Sequence, residues 1–324
     1  MPKLQALDKL VVEVLVDNTS DSYSTKPDHV SPEFTNVIDA GAKEISGATL
    51  CCAQLGLSLM LTGHAGSKQH KVLFDAGPEG ETFLRNCKDL GVALSDVEEI
   101  VVSHGHWDHT GALVSALSKI TANKKDVPCH VNPGMFVERG VRLKDGRVVP
   151  FEKVPSVKEL TGLKAKVVND ANERNLLDDF FYVSGEIART TSFEKGRQDH
   201  LCREAEDKPW VPDPLLMDER YLAVLLRDKG LIIFSACSHA GIINVLRAAT
   251  KTFGNTPIYA VFGGLHLVGA LEKIIPETVE NLKTFNLKQI IPGHCTGWRA
   301  VHALLNAFGE SIVVPSAVGS RYTF

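Results

Sequence analysis

Four side chains able to bind a metal or move a proton fall close together in VVSHGHWDHTGA (101–112): His104, His106, Asp108 and His109. They come immediately after a strand-like run and before a helical one. Alternate positions of an extended segment point the same way, so His104 and His106 can share one ion. The chain then turns, and Asp108 and His109 can face a second ion beside the first. A polar loop rich in His by chance is a poor account of this H-x-H-x-D-H order. Three further histidines follow strand-like runs: His239 after residues 231–234, His266 after 258–262 through Gly263-Gly264, and His294 after 289–291 through Pro292-Gly293. Layered α/β proteins gather their active-site loops at such strand ends. Imidazole and carboxylate together suit zinc, and manganese and iron also accept them, so one or two divalent ions are expected.

The stretch LIIFSACSHAGIINV (231–245) brings Cys237 to a strand end beside His239. The pair is open to three readings: metal ligands, a Cys–His nucleophile, or core packing. A thiolate binds zinc at about 2.3 Å, while a small buried Cys is a common core residue. Arg189 in SGEIAR (184–189) is a candidate for an anionic substrate group, since guanidinium binds carboxylate and phosphate bidentately; a surface Arg is the plainer alternative.

Elements able to position these residues alternate along the chain. Strands are predicted at 11–16, 57–61, 71–74, 100–102, 231–234, 258–262, 289–291 and 312–314. Helices are predicted at 81–90 (stopping at Gly91), 111–120, 242–253, 276–285 and 299–308. Residues 17–46 and 187–219 read as long polar loop insertions in a single domain spanning 1–324, and loops of that length tend to be lids. Trp210 between Pro209 and Pro212 is a candidate lid anchor or a packed surface residue.

The chain has 324 residues, 44% hydrophobic and 23% charged, with a net charge of -4. That is an ordinary globular composition. It carries no basic block, which disfavours nucleic-acid binding. No apolar run approaches the roughly 20 residues of a membrane helix, and MPKLQALDKL has charges where a signal peptide needs an apolar region. Seven cysteines, irregularly placed, make no disulfide framework. A reducing, cytoplasmic setting and a small-molecule substrate are expected; oligomeric state is not readable.

SHGHWDH (103–109), LFDAG (73–77) and IPGH (291–294) resemble the metallo-β-lactamase-fold superfamily. VDN (16–18), GLS (56–58), SGEIAR (184–189), CSHAGIIN (237–244), GGLHL (263–267) and PGHCTG (292–297) resemble, more narrowly, the branch of 7,8-dihydropterin-6-methyl-4-(β-D-ribofuranosyl)aminobenzene-5′-phosphate synthase. The resemblance implies an α/β fold, the αβ/βα four-layer sandwich, with a metal site at one edge. It implies His104, His106 and one further His on a first ion, for which His239 is the choice here, and Asp108, His109 and His294 on a second. Asp75 would orient the ligand loop, Asp108 would handle the proton of an attacking water, and His266 would hold the substrate or a developing oxyanion.

The sequence departs from the familiar patterns twice. Cys237 stands roughly where many superfamily hydrolases have a metal-bridging Asp, so it is placed beside the ligands, with direct coordination by Cys237 or by Glu186 left open. Residues 53–58 read AQLGLS, where the branch tends to have an acidic residue and a His before the glycine. A metal-dependent hydrolase of an ester, lactone or phosphoester is the leading expectation. The alternatives are a pterin-phosphate-type synthase with metal-assisted phosphate departure, mono-iron oxygen or sulfur chemistry, and a non-catalytic binding module.

Overall fold

The computed structural model describes residues 2–123 and 126–324. Its centre is two sheets packed face to face. One has the strand order Ala165–Asn169, Val127–Val131, Glu99–Val101, Lys68–Phe74, Ser58–Ala65, Lys9–Val16, Arg321–Thr323, Val30–Ser31. The other runs Arg174–Leu176, Phe181–Val183, Leu222–Leu226, Gly230–Ser235, Ile258–Gly263, Gln289–Pro292, with Ala6–Leu7 also on Leu222–Leu226.

The central strands are apolar on both faces because both faces are covered. Val72 and Phe74 meet Ile232, Phe234 and Phe262 between the sheets, while Met60 and Leu73 turn outward. There they pack with Phe83, Leu113 and Leu117 from the helices Gly80–Asp89 and Leu113–Ile120. Leu231 and Ile233 likewise face the helices Ile242–Phe253, Ile275–Lys283 and Trp298–Phe308. The period-2 alternation of each strand thus feeds two different cores, and the result is the four-layer αβ/βα sandwich.

Parallel pairing positions the site. Lys68–Phe74, Glu99–Val101 and Val127–Val131 are parallel neighbours, as are Gly230–Ser235, Ile258–Gly263 and Gln289–Pro292. Their carboxyl ends lie at a common edge, from which Asp75, the His104 loop, Cys237, His266 and His294 emerge.

Three expectations change. Residues 312–314 form only an isolated bridge, Ile290 with Val313, and the last strand is Arg321–Thr323. The 17–46 stretch holds the short strand Val30–Ser31 and the helix Glu33–Asp39. Within 187–219, His200–Arg203 and Val211–Pro212 join Glu138–Arg142 and Val148–Pro150 in a four-stranded sheet. Trp210 immediately precedes the Val211–Pro212 strand of this small sheet, with the Arg203 guanidinium 4.5 Å above its ring.

Candidate metal centre

Asp75 organises the histidine loop. Its backbone takes φ 56°, a left-handed conformation rare outside glycine, which swings the carboxylate across the neighbouring strand end. Oδ1 accepts from Ser103 N at 2.7 Å; Oδ2 accepts from Ser103 Oγ at 2.7 Å and His109 Nδ1 at 2.8 Å. Because a carboxylate can only accept, His109 carries its proton on Nδ1 and turns a bare Nε2 toward the site. Asp75 thus ties Ser103 and His109 of the histidine loop together.

Gly105, between His104 and His106, lets Met135 and Arg139 pack directly against the loop backbone. A Cβ there would lie 2.3 Å from Met135 O and 2.7 Å from Arg139 Nη1. Asp218 accepts from Gly105 N at 2.8 Å, and buried Arg139 bridges Gly105 O (3.1 Å) and Asp218 (2.7 Å). Glu219 next to it accepts from His239 N at 2.8 Å and Ala240 N at 2.6 Å. One dipeptide thereby fixes two ligand loops.

The donor atoms converge in two imidazole-rich groups. Those of His104, His106 and His239 lie within 4.8 Å of one another, as do those of Asp108, His109 and His294. Asp108 and His109 sit on the short helix Trp107–Thr110, with Asp108 Oδ2 3.8 Å from His109 Nε2 and 3.4 Å from His294 Nε2. His106 Nε2 and His239 Nε2 are buried with no hydrogen-bond partner, and His294 Nε2 faces only the Asp108 carboxylate at 3.4 Å. Each unpartnered nitrogen costs about 1–3 kcal/mol if left unsatisfied, so two in one donor group fit a divalent cation. Burial pushes His104, His106 and His239 well below the ordinary imidazole value, keeping them in the neutral, ligating form. Burial alone would raise the Asp108 carboxyl, but His109 and His294 outweigh it and hold it well below the usual range.

His294 is set by the VDN segment. Asp17 accepts from His294 N at 2.9 Å, Asn18 Oδ1 lies 3.1 Å from His294 Nδ1, and Asn18 Nδ2 donates to His294 O at 2.8 Å. Engaging Nδ1 leaves Nε2 for Asp108 and an ion. The sequence reading assigned no role to Asp17, Asn18, Asp218 or Glu219.

His200 was likewise missed. It lies in the 187–219 segment, buried, with ring centroids 5.2 Å from His106 and 5.7 Å from His239. Burial and then Arg197 push it down to about 3. The same segment is pinned to CSHAGIIN: Glu194 caps the helix Ile242–Phe253 by accepting from Ile243 N (2.9 Å) and Asn244 N (3.0 Å). A Cβ on Gly241 would lie 2.1 Å from Glu194 Cδ, which explains the glycine of that motif.

Arg189 spends its guanidinium on the backbone carbonyls of Ile187, Leu215 and Leu216, so the structure makes it a strut of the 187–219 segment and does not bring it to the donor groups. Glu186 is exposed and joins none of the groups among the described residues. Cys237 lies 3.1 Å from His109 Nε2 and groups with His104 and His109; it also groups with His266 and Cys295. His266 packs 4.3 Å, ring to ring, from His239.

Comparison with known proteins agrees with this architecture. Residues 61–125 match the family model described as the metallo-β-lactamase superfamily. The chain is 30% identical over 260 residues to the 7,8-dihydropterin-6-methyl-4-(β-D-ribofuranosyl)-aminobenzene-5′-phosphate synthase of Methanocaldococcus jannaschii, covering 80% of this chain and 86% of that protein. An uncharacterized protein of the same organism is 30% identical over 240 residues, 74% of this chain and 84% of its own length. A crystal structure described as a metal-dependent hydrolase of the β-lactamase superfamily superposes with a TM-score of 0.69 at 21% identity, covering 96% of this chain and 98% of that one.

Proposed function

Because this chain belongs to the metallo-β-lactamase superfamily, in the branch resembling the dihydropterin aminobenzene phosphate synthase, we propose that it is a metal-dependent hydrolase of small anionic molecules bearing an ester, lactone or phosphoester bond. The observation carrying this reading is the pair of buried imidazole nitrogens without partners at His106 and His239, beside the His294–Asp108 pair. In this reading His104, His106 and His239 hold one ion and Asp108, His109 and His294 a second, zinc being favoured by the donors. When bound, such ions supply Lewis acidity, polarising the oxygen under attack and lowering the pKa of water from 15.7 to about 7.

The residues do the rest. Asp108, kept ionised by its histidine neighbours, accepts or orients the proton of the attacking water. His200 and the small sheet carrying it exclude bulk solvent from the His106 and His239 side. An anionic substrate is favoured by the adjoining surface: Arg142, Lys144, Lys195, Arg197 and Lys273 line a cavity of about 540 Å³. Among the described residues only Arg197 of these meets a carboxylate, Asp199. That cavity shares Lys195, Leu271 and Ile274 with a narrower one reaching His239 and His266.

The relative's name supports a second reading, in which the same centre assists departure of a phosphate in a synthase reaction. One screen separates the two: metal-loaded protein against carboxylic esters, lactones, phosphodiesters and pterin diphosphates. Turnover of a hydrolysable anion that stops with chelator and returns with metal supports the hydrolase. Turnover only with a pterin diphosphate plus an aminobenzene partner replaces it by the synthase, and chelator-insensitive turnover rejects both.

A further inference from the structure

We propose that Cys237, Cys295 and His266 form a thiolate-rich site for a zinc-like divalent ion that adjoins the imidazole and carboxylate groups through Cys237. Their three donor atoms lie within 4.8 Å of one another, and the two sulfurs are 3.4 Å apart. Two thiolates each about 2.3 Å from a tetrahedral ion stand about 3.8 Å apart, so the sulfur pair needs to shift by only a few tenths of an ångström to hold an ion.

Independent observations point to a ligand. His266 is 8% exposed and neither ring nitrogen makes a well-formed hydrogen bond, so the imidazole faces the two thiols with its buried polar atoms unsatisfied, a costly arrangement without a ligand. Its backbone is held at φ 46° and that of Ser238, next to Cys237, at φ 59°; strain of this kind persists where the surroundings enforce it. Gly264 leaves the room the thiol needs, since a Cβ there would lie 2.6 Å from Cys295 Sγ and 2.5 Å from Ala236 O. GGLHL, CSHAG and PGHCTG therefore meet through three side chains and one absent one.

Two sulfurs and one imidazole favour zinc over magnesium, calcium or manganese. Three protein donors leave a fourth position for water or a substrate oxygen. His266 also lines a narrow cavity with Ser238, His239 and Leu265. The inference extends the metal-enzyme reading, and its failure is distinguishable from failure of that reading.

The test loads the full-length, reduced, chelator-stripped protein with Co(II). The expected result is a near-ultraviolet thiolate-to-cobalt charge-transfer band in addition to visible d–d bands. Cys295→Ser and Cys237→Ser should each abolish the charge-transfer band, and Cys295→Ser should keep the d–d bands while binding one ion fewer per chain. If Cys295→Ser does not fold, Cys295→Ala serves instead. Visible bands with no thiolate band in the wild type overturn the thiolate site and leave the imidazole and carboxylate centre standing. A thiolate band that survives Cys295→Ser, or a Cys237–Cys295 disulfide that persists in the reduced, cobalt-loaded protein, also overturns it. Absence of any cobalt binding overturns both readings.

Discussion

Replacing Asp75 by Asn exchanges one oxygen for an amino group at constant volume, at a fully buried site where three donors converge. If the Asn oxygen stays on Ser103 N, its amide donors face Ser103 Oγ and His109 Nδ1. The serine hydroxyl can rotate and accept. The imidazole must move its proton from Nδ1 to Nε2, the nitrogen 3.8 Å from Asp108 Oδ2 and 3.1 Å from Cys237 Sγ, and a protonated nitrogen cannot ligate. If the Asn oxygen turns to His109, its amide donors confront the Ser103 N–H, leaving buried donors unpaired at about 1–3 kcal/mol. Either arrangement should weaken metal binding about 10–100-fold, equivalent to about 1.4–2.7 kcal/mol. Competition against a chelator of known affinity reads this loss, and thermal melting of the metal-free protein reads the cost of the unpaired buried donors. Metal affinity within twofold of wild type, together with an unchanged melting temperature, would refute the orienting role of Asp75.

Arg139→Met leaves the Asp218 carboxylate buried without its guanidinium partner; urea unfolding should register a loss of about 3–5 kcal/mol, and a change below 1 kcal/mol would contradict the bridging role. His200 titrates near 6.5 when unfolded and at about 3 when folded, so the unfolded chain binds the extra proton between those values. Its contribution is complete above about pH 6.5 and is lost as pH falls toward 3, with a slope of at most about 1.4 kcal/mol per pH unit. In the metal-free protein, His200→Asn should flatten the acid limb of melting temperature against pH, and superimposable limbs would count against it. Gly264→Ala drives a methyl group into Cys295 Sγ and Ala236 O; the expected cost is about 1–3 kcal/mol in denaturant titration, and a neutral effect would mean the two loops are free to separate.

What the sequence made legible is what lies close together along the chain. His104, His106, Asp108 and His109 are neighbours in sequence, and their alternation and turn predict the two directions in which they point. The core strands were readable because burial on both faces leaves near-continuous apolar runs. The supporting residues were not readable, because each works across the fold: Asp17 and Asn18 reach His294, Asp218 reaches Gly105, and Glu194 reaches the helix at Ile243. His200 was hidden in a polar stretch whose short strands form only by pairing with Glu138–Arg142. Residues 312–314 have strand-forming side chains but only one bridge partner, so propensity there lost to position.

Metal content of the purified protein tests the central claim most directly, measured by elemental analysis for wild type, His106→Ala and His294→Ala. The account predicts tightly held divalent metal in the wild type and about one ion fewer per chain in each variant. A wild-type protein that retains no divalent ion after metal loading and desalting, or variants with the wild-type metal content, would contradict it.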